Sequence, residues 1–248
     1  MATAGAPASI RVRQRIGLAV PRLSSSFHAL VDSPRFEALF PRYLVLLHTV
    51  LRASVPLMRE AAYRLACDGP GDPLAAELRA YLEQHILEEQ GHDDWLLEDL
   101  ELLGWDRHAV LGSAPSPHVA AAVGSQYYWI RHHHPVAFLG YIAVLEGYPP
   151  RIEDVRGWMA RTSLPHGAFR TLEKHADLDP GHNHELDVLL DALLLNESHL
   201  RSICVNGVAT AGSLGLALED LLDAPIEVAP DPRRPDPSAL DREGSERP

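Results

Sequence analysis

Apolar residues recur every three or four positions along most of the chain, which is the spacing that places them on one face of an α-helix. No stretch alternates apolar and polar residues in the way that a half-buried β-strand does. The pattern therefore predicts an all-α fold, a bundle of seven or eight helices. The helix predicted over residues 73–103 shows the spacing most clearly, in a stripe made of Leu78, Leu82, Ile86, Leu96 and Leu100.

Proline- and glycine-rich segments divide this pattern into separate elements. Pro56 and Pro135 fall inside apolar runs and should bend the helices that contain them. Residues 1–24 are predicted to form an irregular or partly ordered arm, residues 25–223 the helical domain, and the Pro- and Asp-rich residues 224–248 a disordered tail. Helices are predicted over residues 26–39, 43–67, 73–103, 119–146, 151–161, 165–177, 185–205 and 209–222.

Composition and charge limit the classes of partner and compartment. The 248 residues are 46% hydrophobic, enough for one good core, and a net charge of −12 argues against a nucleic-acid partner. The chain has neither an unbroken apolar run of about twenty residues nor a signal-peptide core, so no membrane span or export is predicted. The two cysteines, Cys67 and Cys204, make neither a disulfide framework nor a zinc spacing. We therefore expect a reduced, cytoplasmic protein.

The first candidate ligands lie on the helix predicted over residues 73–103. Glu89 falls about 20° from the centre of the apolar stripe and Glu88 about 120° away, so Glu89 should point into the core and Glu88 toward its edge. Glu89 and His92 are three residues apart and would share one helical face. A buried carboxylate is costly unless it is protonated, hydrogen-bonded or bound to a cation. A hydrogen bond between these two residues or a shared metal ion would each meet that requirement.

Two further segments carry polar groups that should face inward. Glu146 ends a long apolar run with no basic residue within a turn, so it should either meet a cation or lie exposed at the helix end. His175, Asp179 and His182 have the spacing of one helical face over two turns. Pro180 should distort the helix at that point. The alternative for this segment is a histidine-rich surface loop.

Three carboxylates and three imidazoles on separate helices form the kind of inward-facing set that holds two iron ions inside a helical bundle. Iron(II) accepts both ligand types, whereas zinc sites more often use fewer carboxylates, or cysteine. Two irons that share bridging carboxylates can reduce O₂. The sequence therefore predicts a dinuclear iron site.

In spacing and residue type these segments resemble the heme-oxygenase-like diiron oxidases and oxygenases, or iron-containing redox enzyme family, over roughly residues 40–222. That family shares its seven-helix fold with heme oxygenase, the TenA thiaminases and pyrroloquinoline quinone synthase. The resemblance implies that the matching residues ligate two iron ions and that O₂ is a co-substrate. The motifs that carry it are Glu89-x-x-His92, Glu146 in Leu145-Glu-Gly, and His175-x-x-x-Asp179-x-x-His182.

One ligand position departs from the family pattern. Several members carry a further glutamate on the first core helix, and others carry one seven residues before the first histidine of the motifs. In this chain the second of these positions is His85, and the acidic candidate on the first core helix is Glu60. Either residue would complete the site.

The resemblance also implies a reaction. We expect N-oxygenation, C–C cleavage or desaturation of a small amino-acid- or fatty-acid-like metabolite, in secondary metabolism. An external electron donor and a homodimer fit that expectation. Four residues that precede the apolar run or lie within it are candidates for substrate contact, although packing and surface exposure would account for them equally well. These candidates are Tyr127, Arg131, His134 and Tyr141.

Other functions of the same fold are left open. A TenA-like hydrolase would need an activated cysteine near paired acids, and neither Cys67 nor Cys204 lies in such a segment. A heme-binding protein would need a proximal histidine such as His28 or His48, but this alternative leaves the inward-facing acids unexplained. A cofactor-free protein would need those polar side chains to satisfy one another.

Overall fold

The computed structural model describes residues 5–68 and 71–225, and these residues contain α-helices and short 3-10 turns but no β-strand. The all-α prediction is confirmed. The predicted tail, residues 224–248, lies almost entirely outside the described residues. The helices are α1 (Ala8–Ile16), α2 (Val20–Val31), α3 (Phe36–Asp68), α4 (Ala75–Glu89), α5 (His92–Leu102), α6 (Arg107–Gly112), α7 (Pro117–His132), α8 (Leu139–Leu145), α9 (Ile152–Ala160), α10 (Arg170–Ala192) and α11 (Glu197–Asp223).

The two long helices α3 and α11 organise the bundle. α11 packs against α1, α2, α7 and α8, while α3 packs against α4, α5 and α7. By length and composition α11 could cross a membrane, but 61% of its most apolar window is buried inside the bundle. A helix that is apolar on most sides is expected to be buried in this way. The buried side chains form two apolar clusters, one around the middle of α3 and one where its first turns meet α5, α9 and α10.

The short helix α8 lies unusually close to α11. A Cβ atom placed on Gly140 would lie 2.1 Å from the carbonyl oxygen of Ile203 and 2.7 Å from the amide nitrogen of Gly207. Only a residue without a side chain allows two helix backbones to approach this closely. This contact holds α8 against the core helix and thereby sets the position of Glu146, which follows the last residue of α8.

The arm predicted over residues 1–24 is helical rather than irregular in most of its described part. Residues 8–16 form α1, and α2 begins at Val20. Val12 and Ile16 of α1 are almost fully buried in the main apolar cluster. This helix is difficult to predict from sequence because its buried apolar residues, Val12 and Ile16, form one narrow face and are separated by charged side chains.

The single helix predicted over residues 73–103 is two helices. α4 ends at Glu89 and α5 starts at His92, with Gly91 between them at φ +91°. That left-handed backbone conformation is favourable for glycine and costly for other residues, so Gly91 allows the chain to turn here. The break redirects the chain between Glu89 and His92, and a continuous helical wheel therefore does not describe their relation.

The region predicted as one bent helix over residues 119–146 is divided, since α7 ends at His132 and a 3-10 turn begins at Pro135. Three other prolines interrupt the helices less than predicted. α3 continues through Pro41 and Pro56, and α10 continues through Pro180. The last pair of helices instead meets at residues 193–196, where Asn196 caps α11 by accepting a hydrogen bond from the backbone of His199. A proline inside a helix removes one hydrogen bond, and packing along a long buried face can offset that loss.

Candidate metal centre

Seven polar side chains converge where α4, α5, α8 and α10 meet. α4 carries His85 and ends at Glu89, α5 begins at His92, and Glu146 follows α8. α10 presents the other three from one face over two turns, as its spacing predicts, because the helix continues past the proline. The converging residues are His85, Glu89, His92, Glu146, His175, Asp179 and His182.

The first group of ligand atoms could hold one metal ion. One nitrogen or oxygen atom from each of His85, Glu89, Glu146 and His182 lies within 4.8 Å of the others. His85 Nε2 lies 2.7 Å from Glu146 Oε1, and His182 Nδ1 lies 3.4 Å from Glu89 Oε1. Ligands bound about 2 Å from one ion lie about 3 to 4 Å from each other, so these separations suit a shared ion.

The second group consists of Glu89, His92 and His175, whose ligand atoms also lie within 4.8 Å of one another. His92 Nδ1 lies 3.1 Å from Glu89 Oε2. His175 donates a hydrogen bond from Nδ1 to the carbonyl oxygen of Thr171, 2.9 Å away. This bond fixes the orientation of the ring and leaves Nε2 available for an ion.

Glu89 joins the two groups. Its Oε1 atom faces His182 in the first group and its Oε2 atom faces His92 in the second. A carboxylate with one oxygen in each of two adjacent sites has the arrangement of a bridging ligand. The structure therefore offers two neighbouring cation sites that share one side chain.

Several polar atoms at this centre are buried without a hydrogen-bond partner among the described residues. Three of them are Glu146 Oε2, Asp179 Oδ1 and His182 Nδ1. Leaving such an atom unsatisfied costs about 1–3 kcal/mol, and more for a charged group. All three atoms belong to residue types that iron accepts as ligands. The donor set therefore fits the iron ions that the sequence motifs imply.

The protonation states respond to this crowding of charge. Burial, together with the charges of Glu146 and Glu89, raises the pKa of Asp179 to about 8. Burial lowers the pKa of His85, but its hydrogen bond to Glu146 and the neighbouring carboxylates outweigh this and raise the pKa to about 9. Burial lowers the pKa of His175, which favours the neutral imidazole that binds metals. Protons on Asp179 and His85 thus moderate the negative charge that a cation would otherwise balance.

Of the two residues proposed to complete the site, the structure brings His85 to it and leaves Glu60 outside. His85 is almost fully buried and belongs to the first group. Glu60 lies farther along α3, where it accepts a hydrogen bond from Arg131 at 2.8 Å. The ordinary surface ion pair explains Glu60 without a metal.

Glu88 lies closer to the centre than its predicted position suggests. Its Oε2 atom lies 3.4 Å from His85 Nδ1 and 3.8 Å from His182 Nε2, and its Oε1 atom accepts a hydrogen bond from Gln84. Glu88 does point toward the edge of the core, as the helical wheel indicates, but that edge is where these two imidazoles lie. Its position three residues after His85 was a signal for this supporting role.

A cavity of about 50 Å³ opens onto the candidate metal ligands. Its polar side is formed by His85, Glu89, Glu146, His175 and Asp179. The opposite wall is mostly apolar and comes from α3, from α8 and from the 3-10 turn before α8. The residues of this wall are Leu51, Ser54, Met58, Phe138, Tyr141, Ile142 and Leu145.

Of the four candidate substrate contacts, Tyr141 lines the cavity. Its side chain is almost fully buried, and burial raises the pKa of its hydroxyl while the neighbouring Ser54 side chain partly offsets the rise. The other three lie elsewhere. Tyr127 and Arg131 are exposed on α7 and contact each other, and His134 pairs with Asp72 at 3.2 Å. These three side chains therefore fit the alternative explanation, in which they pack against neighbours or lie exposed at the surface.

Comparison with known proteins identifies the family. A family model described as "Iron-containing redox enzyme" matches residues 38–215, which is more than half of the chain. The chain belongs to this family. A search of curated proteins found no significant match.

Comparison with solved structures shows which fold this member of the iron-containing redox enzyme family has. A domain of unknown function with a heme oxygenase-like fold from Shewanella denitrificans is 19% identical, covering 89% of this chain and 97% of its own, with a TM-score of 0.75. A TenA homolog from Pseudomonas syringae pv. tomato is 14% identical, covering 88% and 94%, with a TM-score of 0.68. The predicted heme oxygenase-like bundle is confirmed.

The first core helix brings no acidic side chain to the cavity in this chain. The α3 side chains there are Leu51, Ser54 and Met58. His85 instead contributes a nitrogen from α4. The first candidate site therefore combines two imidazoles with two carboxylates.

The residues named for the alternative functions do not meet at this centre. Cys67 is exposed at the end of α3, and Cys204 is half-buried on α11, beside Arg11 and Arg15 rather than beside paired acids. His28 is exposed and hydrogen-bonded to the backbone of Ser24. His48 is fully buried, but it does not line the cavity.

Proposed function

We propose that this protein is an O₂-activating, non-heme diiron oxygenase or oxidase that acts on a small metabolite. The observation that carries the proposal is the pair of ligand groups that share Glu89. When bound, two iron ions would supply the electrons that reduce O₂ and thereby the oxidising power for the substrate.

The side chains have distinct roles in this proposal. His85, Glu146 and His182 would hold one ion, His92 and His175 would hold the other, and Glu89 would contribute to both sites. Asp179 lines the cavity between the groups and holds a proton on its carboxyl until a cation displaces it. Support for these roles comes from the burial of the ligand atoms and from the absence of hydrogen-bond partners for several of them among the described residues.

Glu88 and Thr171 would orient the ligands from outside. Glu88 lies behind His85, and the carbonyl oxygen of Thr171 accepts the Nδ1 proton of His175. Such contacts fix which ring nitrogen faces the ion and raise its basicity.

The cavity favours a substrate that presents an alkyl group to the metal centre. Five of its wall residues are apolar, and none of the described residues that line it is lysine or arginine. An amino-acid- or fatty-acid-like molecule would place its hydrocarbon part here and its charged group toward the opening. N-oxygenation, C–C cleavage and desaturation are the reaction types that we propose.

Two measurements test the function. Anaerobic titration with Fe(II) should show two ions bound per chain, and Glu89→Gln should bind fewer, whereas the control Glu60→Gln should bind like the wild type. Rapid mixing of the loaded protein with O₂ and a panel of amino acids and fatty acids should then show substrate-dependent O₂ consumption. Wild-type protein that binds no iron, or a Glu89→Gln variant that binds two ions as tightly as the wild type, would contradict the proposal.

The structural likeness to a TenA homolog does not by itself support a hydrolase, because at 14% identity it shows the fold alone. A hydrolase of this kind would need a nucleophilic cysteine at the cavity. The described lining of the cavity contains neither cysteine. The ligand set therefore favours the oxidoreductase.

A further inference from the structure

A half-buried indole lies against two of the candidate ligands without being one of them. The ring of Trp95, one turn into α5, stacks on the imidazole of His92, with ring centroids 3.9 Å apart and planes inclined by 27°. The same indole meets His175 edge-on, with a centroid separation of 6.2 Å. Both imidazoles of the second ligand group thus contact one aromatic side chain that reaches the surface.

The indole is held in a defined orientation between α5 and α10. Arg170 donates a hydrogen bond to the carbonyl oxygen of Trp95 at 3.0 Å and pairs with the buried Asp99 at 3.1 Å. Lys174 places its Nζ atom 3.6 Å from the centre of the indole ring. Because the imidazole of His92 lies equally close, the imidazole and the ammonium group must cover opposite faces of the indole.

The first ligand group has an aromatic neighbour of a different kind. Tyr81 stacks on His85 with ring centroids 5.4 Å apart, but its hydroxyl is buried. Trp95 therefore makes the closer ring contact with a candidate ligand, at 3.9 Å between centroids against 5.4 Å for Tyr81.

We propose that Trp95 conducts electrons from a donor at the protein surface to the metal ions at the second ligand group. This inference rests on the proposed diiron function, in which ferric ions must be returned to the ferrous state. The donor would be a one-electron reductant such as a reduced flavin or iron–sulfur protein. Two transfers, each oxidising the donor by one electron, reduce both ions, and no bond in the protein forms or breaks.

The packing explains why this side chain suits the role. Electrons tunnel more readily through π systems in van der Waals contact than across a gap, and the indole and the imidazole of His92 are in such contact. The cation of Lys174 opposes the formation of positive charge on the indole, because the ammonium group stabilises the electron-rich ring face. Trp95 can therefore carry electrons without being oxidised itself.

The experiment compares the rates at which ferric-loaded proteins are reduced. Photoreduced flavin mononucleotide is a suitable anionic donor, since it is too large for a cavity of about 50 Å³. Stopped-flow absorbance would follow the loss of the ferric signal in wild type, Trp95→Phe and Trp95→Leu. Trp129→Leu is the matched control, because Trp129 is also half-buried and also neighbours a histidine, His133, but on α7.

We expect Trp95→Leu to slow reduction by at least about tenfold, equivalent to about 1.4 kcal/mol of activation free energy. Trp95→Phe should keep most of the rate, and the control should match the wild type. Rates are normalised to bound iron, and reduction potentials are measured on the same samples. A merely structural role for Trp95 would change the amount of bound iron or the reduction potential, but not the rate per iron. Trp95→Leu protein reduced at the wild-type rate would overturn the inference.

A second measurement does not depend on iron retention by the Trp95 variants. In Lys174→Met the cation is removed, and exposing the ferrous-loaded protein to O₂ should add oxygen to Trp95, as detected by peptide mass spectrometry, while Trp129 stays unmodified. An unmodified Trp95 would overturn its role as an electron carrier. Wild-type protein that binds no iron would overturn the proposed function as well, whereas the two results on the variants would overturn this inference alone.

Discussion

At Asp179, the stability of the metal-free fold and the proposed binding of a metal ion favour different protonation states of one side chain. Its side chain is only 5% exposed, and its Oδ1 atom has no hydrogen-bond partner among the described residues. Burial and the nearby charges of Glu146 and Glu89 raise its pKa to about 8. Ionising Asp179 therefore destabilises the metal-free fold. We predict that Asp179→Asn, similar in shape but uncharged, stabilises the metal-free protein and weakens iron binding.

The magnitude and sign follow from the two pKa values. The pKa of Asp179 rises from its ordinary value of 3.8 to about 8 in the folded protein. At about 1.4 kcal/mol per pKa unit, ionising Asp179 therefore costs the folded state up to about 6 kcal/mol. Because the folded protein holds the proton more tightly, stability is complete below about pH 4 and is lost as the pH rises to about 8. The asparagine amide must itself be desolvated, at a cost of about 1–3 kcal/mol. We therefore expect a net gain of about 3 kcal/mol above pH 8 and none near pH 4.

Urea unfolding of metal-stripped protein at about pH 5, 7 and 9 measures this difference. The matched control is Asp177→Asn, an exposed aspartate on the same helix, which should show no such pH-dependent gain. An Asp179→Asn variant that is no more stable than the wild type at about pH 9, or whose gain does not vary with pH, would refute the reasoning. Iron titration of the same variant should show loss of affinity, which separates the gain in stability from any gain in function.

Other variants test the surroundings of the centre. Glu88→Ala should lower iron affinity by about 10- to 100-fold in a chelator competition, because its carboxylate supports His85 from behind; unchanged affinity would show that the contact is incidental. Gly140→Ala should lower the free energy of unfolding by at least about 1–3 kcal/mol, because its new methyl group would meet the α11 backbone. Gly157→Ala, where a new methyl group would enter open space, should cause no such loss when both variants are compared by thermal unfolding. His85→Gln in metal-free protein should remove about 3 kcal/mol of stability that is present below about pH 6.5 and is lost as the pH rises past about 9, so equal losses at both ends of this range in urea titrations would contradict the assigned charge.

Much of the fold could be predicted from local patterns alone. Helical spacing of apolar residues is a property of a few consecutive turns, so the all-α class and the long helices could be predicted without tertiary information. The break at Gly91 could not, because glycine is tolerated inside helices and its positive φ depends on how α5 packs against α3. α1 could not be predicted for a similar reason, since Val12 and Ile16 are its only residues that are buried members of the main apolar cluster.

The sequence by itself determined which residues have the ligand chemistry of the candidate iron site, because that chemistry belongs to the residue types, and on α10 the helical spacing also placed His175, Asp179 and His182 on one face. It could not decide between His85 and Glu60, since both are polar residues on predicted helices. Tertiary packing made that choice by turning α4 toward α8 and α10, so that His85 meets Glu146 while Glu60 pairs with Arg131 at the surface. The contact between Trp95 and His175 likewise joins α5 to α10 only as a consequence of packing. Distances between helices depend on which side chains fill the space between them, and no local pattern contains that information.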